Sequence, residues 1–98
     1  AVITEPRLLQ GHARGVLAIA FNSDATRLVS GGVDQTVRLW NLSDSQVPGA
    51  LVLGRHSGSV FQVAYLPNAN TVVSSGQDGV VQLFDLRAGE FHGAKPVT

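Results

Sequence analysis

The chain is predicted to be all-β, built from two copies of one small antiparallel sheet, and three observations carry that prediction. The first is a hairpin pattern. Leu28 to Leu42 reads LVSGGVDQTVRLWNL, two short apolar runs (Leu28-Val29 and Val37 to Trp40) parted by Ser30-Gly31-Gly32 and Asp34. Valine- and leucine-rich runs split by a Gly-Gly turn form β-hairpins. The second is recurrence: the pattern returns as VVSSGQDGVVQLFDL from Val72 to Leu86, and a shift of 44 residues lays Gly11–Leu42 over Arg55–Leu86 without a gap. The third is composition, since 44% apolar residues can fill a core and 11 glycines in 98 residues suit a turn-rich all-β chain.

Across that offset the identities pair His12 with His56, Val16 with Val60, Ala20 with Ala64 and Ala25 with Ala69. They continue through Val29/Val73, Ser30/Ser74, Gly32/Gly76, Asp34/Asp78, Val37/Val81, Leu39/Leu83 and Leu42/Leu86, with Ile19/Val63, Phe21/Tyr65 and Trp40/Phe84 alike in kind. Each copy holds three readable strands. The first is Val16 to Phe21 and Val60 to Leu66, with small Ala18 and Ala20 alternating with larger neighbours. Asn22-Ser23-Asp24-Ala25 and Pro67-Asn68-Ala69-Asn70 supply turn chemistry after it. The second runs over Arg27–Ser30 and Thr71–Ser75, the third over Thr36–Asn41 and Val80–Asp85. A polar linker with Pro48 covers Ser43 to Gly49, and Ala50 to Leu53 follows as a fourth, outer strand.

Composition narrows the function. Seven basic side chains balance seven acidic ones with no run of either sign, so neither nucleic acid nor an anionic membrane is expected as the main partner. There are no cysteines, which excludes disulfide and thiolate chemistry. No apolar run approaches the roughly 20 residues that span a bilayer, and AVITEPRLLQ lacks the pattern of a signal peptide. With no methionine anywhere, Ala1 is not read as a translation start; a processed chain, an excised fragment or the ordered part of something longer are all open.

His12, Ser30 and Asp34 are the ingredients of a nucleophile relay. Catalysis would need an exposed serine, an oxyanion hole and a cleft, and nothing in the sequence suggests them. The expectation is no enzyme. His12, His56 and His92 have no companions at ligand spacing, so no metal site is expected. Gly31-Gly32 precedes neither a lysine nor a helix start, so no phosphate loop and no cofactor are expected either.

A period of 44 that opens near Gly-His and closes on Trp40-Asn41 or Phe84-Asp85 resembles the WD40 repeat family. The resemblance implies a partial β-propeller over residues 1–98, two four-stranded antiparallel blades, with one repeat at about 8–49 and the next at about 50–98. It places Arg7 to Gln10 as the outer strand of a preceding blade and Pro96 to Thr98 as the start of the second blade's own. It implies a hydrogen-bonded tetrad of His12, Ser30, Asp34 and Trp40, in which the indole N–H donates to Ser30. The second copy keeps His56, Ser74 and Asp78, but Phe84 has no N–H to give. A protein-interaction scaffold follows, in the cytoplasm or nucleus.

Blades are covered on both faces, which explains the nearly continuous apolar strands. Two blades alone leave two apolar faces bare, and propellers close with about 4 to 8 blades. Further blades are expected, from elsewhere in a parent chain or from copies of this one assembling into an even-bladed ring. Val72 to Arg87, ending Phe84-Asp85-Leu86-Arg87, is similar to the DWD box of substrate receptors for cullin-4 ubiquitin ligases. In that family the final arginine, here Arg87, helps dock onto the ligase adaptor at the narrow face, with Asp85 beside it. A guanidinium at a strand end suits a bidentate contact with a carboxylate. A second partner is expected on exposed Arg14, Val33, Ser59 and Gln77, in the loops before the first strand and between the second and third. The alternative is a structural subunit of a large ribosomal, ciliary or RNA-processing assembly.

Overall fold

The computed structural model describes residues 8–43, 51–66 and 70–86. Seven strands run through them: β1 (Val16–Phe21), β2 (Arg27–Gly32), β3 (Thr36–Asn41), β4 (Leu51–Arg55), β5 (Val60–Leu66), β6 (Thr71–Gly76) and β7 (Val81–Asp85). β1 to β4 form one antiparallel sheet in chain order, and β5 to β7 form a second. The internal repeat extends to irregularities: the β1/β2 ladder shifts register between Val16 and Ala18, and the β5/β6 ladder between Val60 and Gln62.

Local chemistry sets the corners. Between β1 and β2, Asn22 Oδ1 accepts from the Arg27 N–H at 2.8 Å, and Asp24 Oδ1 accepts from the Thr26 N–H and hydroxyl at 3.1 and 2.6 Å. These short polar side chains close the turn on its own backbone. The β2–β3 turn needs a left-handed residue, and Gln35 sits there at φ 74°. Gly79 fills the same position of the second copy at φ 76°, where a missing Cβ removes the strain.

Cross-strand partners share a face, so the registers sort the side chains. In the first sheet Ala18, Gly31 and Val37 form one row and Ala20, Val29 and Leu39 the next, both facing the second sheet. Ile19, Ser30 and Arg38, and then Phe21, Leu28 and Trp40, form rows on the opposite face. In the second sheet the rows Val63, Ser74, Gln82 and Tyr65, Val72, Phe84 face the first sheet. The core is the layer between the sheets: Val29, Val37, Leu39 and Leu53 from one side, Val60, Val72, Phe84 and Leu86 from the other. Two glycines make the approach close. A Cβ on Gly31 would collide with Val60, and one on Gly54 would lie 2.7 Å from the Phe84 ring.

Several element boundaries differ from the sequence expectation. β2 and β6 run on to Gly32 and Gly76, β7 starts at Val81, and β4 ends at Arg55 instead of Leu53. Gly54 and Arg55 look like loop residues, but Gly54 stays in the strand because the Phe84 ring lies across its bare backbone. The second sheet has three strands among the described residues, not four; the expected start of its outer strand at Pro96–Thr98 lies outside them. Of the strand expected over Arg7–Gln10, Arg7 lies outside the described residues, and Leu8–Gln10 are exposed and not in a strand, because among the described residues no preceding sheet offers an edge to pair with. Gly11 lies over Trp40 and Arg38 as Gly54 lies over Phe84 and Gln82, with added Cβ atoms 3.0 and 2.7 Å from the two rings.

Candidate functional site

The polar residues singled out from the sequence meet at one end of each sheet. β2 supplies Ser30, β3 supplies Trp40, the β2–β3 turn supplies Asp34, and the segment before β1 supplies His12. The Trp40 Nε1–H donates to Ser30 Oγ at 2.8 Å. Ser30 Oγ lies 2.6 Å from His12 Nε2, and His12 Nδ1 lies 3.0 and 3.1 Å from the Asp34 carboxylate oxygens. A serine hydroxyl that accepts from the indole has its own proton to give to Nε2, which puts the imidazole proton on Nδ1, facing Asp34. Every hydrogen then has an acceptor.

Asp34 is held from several sides. It accepts from the Ala13 N–H at 3.0 Å, the Thr36 N–H at 3.2 Å and the Thr36 hydroxyl at 2.8 Å. Burial pushes its pKa up, but the bonds from His12, Thr36 and Ala13 outweigh that and hold it far below the usual carboxylate range. Ser30 is 3% exposed and its hydroxyl is engaged on both sides, so it ties the segment that carries His12 to β2 and β3.

The second network is the same frame with fewer members. His56 Nε2 is 2.8 Å from Ser74 Oγ, and His56 Nδ1 is 3.1 Å from both Asp78 oxygens. Asp78 accepts from the Ser57 N–H at 2.9 Å and the Val80 N–H at 3.0 Å. The Ser57 N–H leads in holding its pKa down to about 2, with the Val80 N–H and His56 adding to it against a smaller opposing effect of burial. Phe84 fills the tryptophan position as a fully buried core residue.

Two members of the first network escaped the sequence reading. The Thr36 hydroxyl bonds Asp34 and lies 3.2 Å from His12 Nδ1. The Arg38 Nε–H donates to Thr36 Oγ1 at 3.1 Å, and its guanidinium comes within 4.0 Å of Asp34. The signal was a difference between the copies: Thr36 and Arg38 stand over Val80 and Gln82, so the polar network thins where the repeat diverges. Gln82 instead donates its Nε2–H to the Arg55 carbonyl at 3.0 Å, tying the second sheet to β4.

The surface candidates divide between the two ends. The Val33 N–H donates to the Gly15 carbonyl at 2.9 Å and the Gln77 N–H to the Ser59 carbonyl at 2.8 Å. These bonds join the loop before each first strand to the following hairpin, so Arg14, Val33, Ser59 and Gln77 share the end that carries the histidines. Arg14 and Gln77 are exposed. Val33 and Ser59 are half-buried, contrary to expectation. Asp85 is exposed at the opposite end of the second sheet, across from Thr71. Arg87 lies outside the described residues. Among the described residues no group of histidine and acidic side chains could hold a metal ion, and no helix is long and apolar enough to cross a membrane.

Comparison with known proteins places these features in a wider set. The family described as WD domain, G-beta repeat matches residues 4–41 and 50–85. The chain is 53% identical over 36 residues to THO complex subunit 3 of Arabidopsis thaliana, covering 37% of this chain and 11% of that protein. It is 44% identical over 43 residues to the ribosome biogenesis protein WDR12 homolog of Caenorhabditis briggsae, covering 44% and 10%. Over 44 residues it is 41% identical to U3 small nucleolar RNA-associated protein 15 of Schizosaccharomyces pombe, covering 45% and 9%. The chain thus matches about a tenth of the length of these curated relatives.

Proposed function

Because the chain belongs to the WD domain, G-beta repeat family, we propose that it is a non-enzymatic protein-interaction scaffold whose main contact surface is the end that carries the histidines. The observation that carries this reading is the pairing of a fixed frame with an exposed edge. The His–Ser–Asp networks and the bonds from Val33 to Gly15 and from Gln77 to Ser59 anchor the loops. Arg14 and Gln77 are left facing solvent from that anchored end. A rigid scaffold that presents a few polar side chains from its loops is the usual way such domains recognise partners.

The broader setting we infer is a large RNA-processing or ribosome-assembly complex inside the cell, since one relative named above is described as a ribosome biogenesis protein and another as small nucleolar RNA-associated. The second reading, a substrate receptor of a cullin-4 ubiquitin ligase, rests on Asp85, exposed at the far end of β7, and on Arg87 after it. The two readings use opposite ends of the sheets, so one pair of variants separates them. Arg14→Ala with Gln77→Ala is expected to release the chain from its assembly in cell extracts while Asp85→Ala with Arg87→Ala leaves it bound. The converse result, with purified cullin-4 adaptor binding the wild type and losing the Asp85/Arg87 variant, would favour the ligase reading and remove the histidine end from the account.

A further inference from the structure

We propose that the partner taken at the histidine end is an acidic protein segment, held through two of its carboxylates by Arg14 and Arg55 on either side of the β2–β3 turn. This chemistry presupposes the reading above, that the end carrying the histidines is the contact surface, and specifies what it contacts.

Arg55 marks a departure between the copies. In the first, Gly11 directly precedes His12; in the second, Arg55 stands between Gly54 and His56. The fold brings this extra cation to the turn that the Arg14 loop also reaches. The Ala13 N–H donates to Asp34 Oδ2 at 3.0 Å, and the His56 N–H donates to the Gln35 carbonyl at 2.8 Å. Arg55 itself ends β4 opposite Thr36. Each arginine is therefore the chain neighbour of a residue bonded to the same turn, so both backbones are fixed there. Both side chains are exposed.

The carboxylates of this end are already committed. Asp34 is engaged by His12, Ala13 and Thr36, with the Arg38 guanidinium within 4.0 Å, and Asp78 by His56, Ser57 and Val80. Their side chains are only 7% and 11% exposed. Among the described residues neither Arg14 nor Arg55 has a carboxylate partner. Exposed acids lie at the opposite end, at Asp24 and Asp85. The histidine end thus attracts a segment that carries carboxylates and repels a basic one, and each guanidinium can give a carboxylate two parallel N–H···O bonds. RNA is the poorer fit. Affinity for its backbone grows with the number of phosphates neutralised, and two exposed arginines in a chain of net charge zero neutralise few. Apolar contact is also on offer. Leu17 and Phe61, the extra residues at the register shifts of β1 and β5, lie toward this end and are 47% and 52% exposed. Bulges re-aim side chains in this way beside binding sites, so an apolar residue among the acids of the partner has a surface to pack on.

The test is selection of peptides from a random-sequence phage library on the 98-residue chain. The wild type is expected to enrich aspartate and glutamate with an apolar residue among them. Arg14→Gln and Arg55→Gln are each expected to weaken a selected peptide about two- to five-fold. Arg14→Glu combined with Arg55→Glu is expected to turn the selection toward lysine and arginine. Circular dichroism matching the wild type establishes that each variant is folded. Selection without acidic enrichment, or acidic peptides that bind the double glutamate variant as well as the wild type, would overturn the acidic partner. If Gln77→Ala still released the selected peptides in that case, the contact surface would stand and only its chemistry would fall. Peptides indifferent to Arg14, Arg55 and Gln77 alike would overturn both. A labelled single-stranded RNA that binds more tightly than any selected peptide, and is lost with the double glutamate variant, would overturn the proposal in favour of nucleic acid.

Discussion

Ser30 and Ser74 allow a matched experiment within one molecule. They occupy the same position of the two copies and are 3% and 1% exposed, so replacing either with alanine removes the same atom from equally dry surroundings. They differ in what they leave behind. Ser74→Ala strands the His56 Nε2 alone, whereas Ser30→Ala strands both the His12 Nε2 and the Trp40 Nε1–H. A buried polar group without a partner costs about 1–3 kcal/mol, so Ser30→Ala is expected to destabilise more than Ser74→Ala by about that amount. The assay is equilibrium unfolding in urea at one fixed protein concentration, followed by circular dichroism. Trp40→Phe completes the cycle, because it turns the first network into the form of the second. In that background Ser30→Ala should cost about what Ser74→Ala costs, with the difference appearing as coupling between Trp40 and Ser30. Equal losses for the two serines, or additive effects of Ser30→Ala and Trp40→Phe, would refute the reasoning.

The same asymmetry predicts that His12→Ala destabilises more than His56→Ala in the same assay, since His12 meets Ser30, Asp34 and Thr36 while His56 meets Ser74 and Asp78. Acid should act through the aspartates: a carboxyl whose folded pKa lies below its unfolded value stabilises the fold above that unfolded value and loses the contribution as pH falls through the folded one. For Asp78 the window runs from its ordinary 3.8 down through about 2, with Asp34 shifted in the same direction, so urea midpoints should hold from neutral to mildly acidic pH and fall within that window. A fall that begins near neutrality would count against it. Gly31→Ala should lower the thermal midpoint sharply, because its Cβ meets Val60 at a packed sheet-to-sheet contact and overpacking costs about 1–3 kcal/mol. Gly79→Ala meets nothing and should cost about 1 kcal/mol through its positive φ alone, so calorimetry that ranks it above Gly31→Ala would contradict the packing.

The strands were legible because the repeat supplies two independent spellings of each. Where one copy is ambiguous, as at Arg27–Ser30, the other repeats the same Val-Ser pair at Val73-Ser74. The cores of the two networks were legible for the same reason. What escaped depends on contacts between the copies, which no single spelling contains. Gly54 looks like a loop glycine until the Phe84 ring is placed over it, and so β4 runs two residues further than expected. Thr36 and Arg38 join the first network at positions where the repeat diverges, and a search for identities passes over them. Val33 and Ser59 look exposed from their place in turns, yet both are half-buried where the loop before each first strand bonds the following hairpin.

Trp40 is the one tryptophan of the chain, so its indole N–H gives a single, assignable proton resonance. Its hydrogen exchange reports directly on whether a buried bond to Ser30 closes the first sheet, 2.8 Å from Nε1 to Oγ. In the wild type the indole proton is expected to exchange about as slowly as the β2 and β3 core amides, and markedly faster in Ser30→Ala while those amides remain protected. An indole proton that exchanges freely in the wild type, or one unchanged by Ser30→Ala, would contradict it.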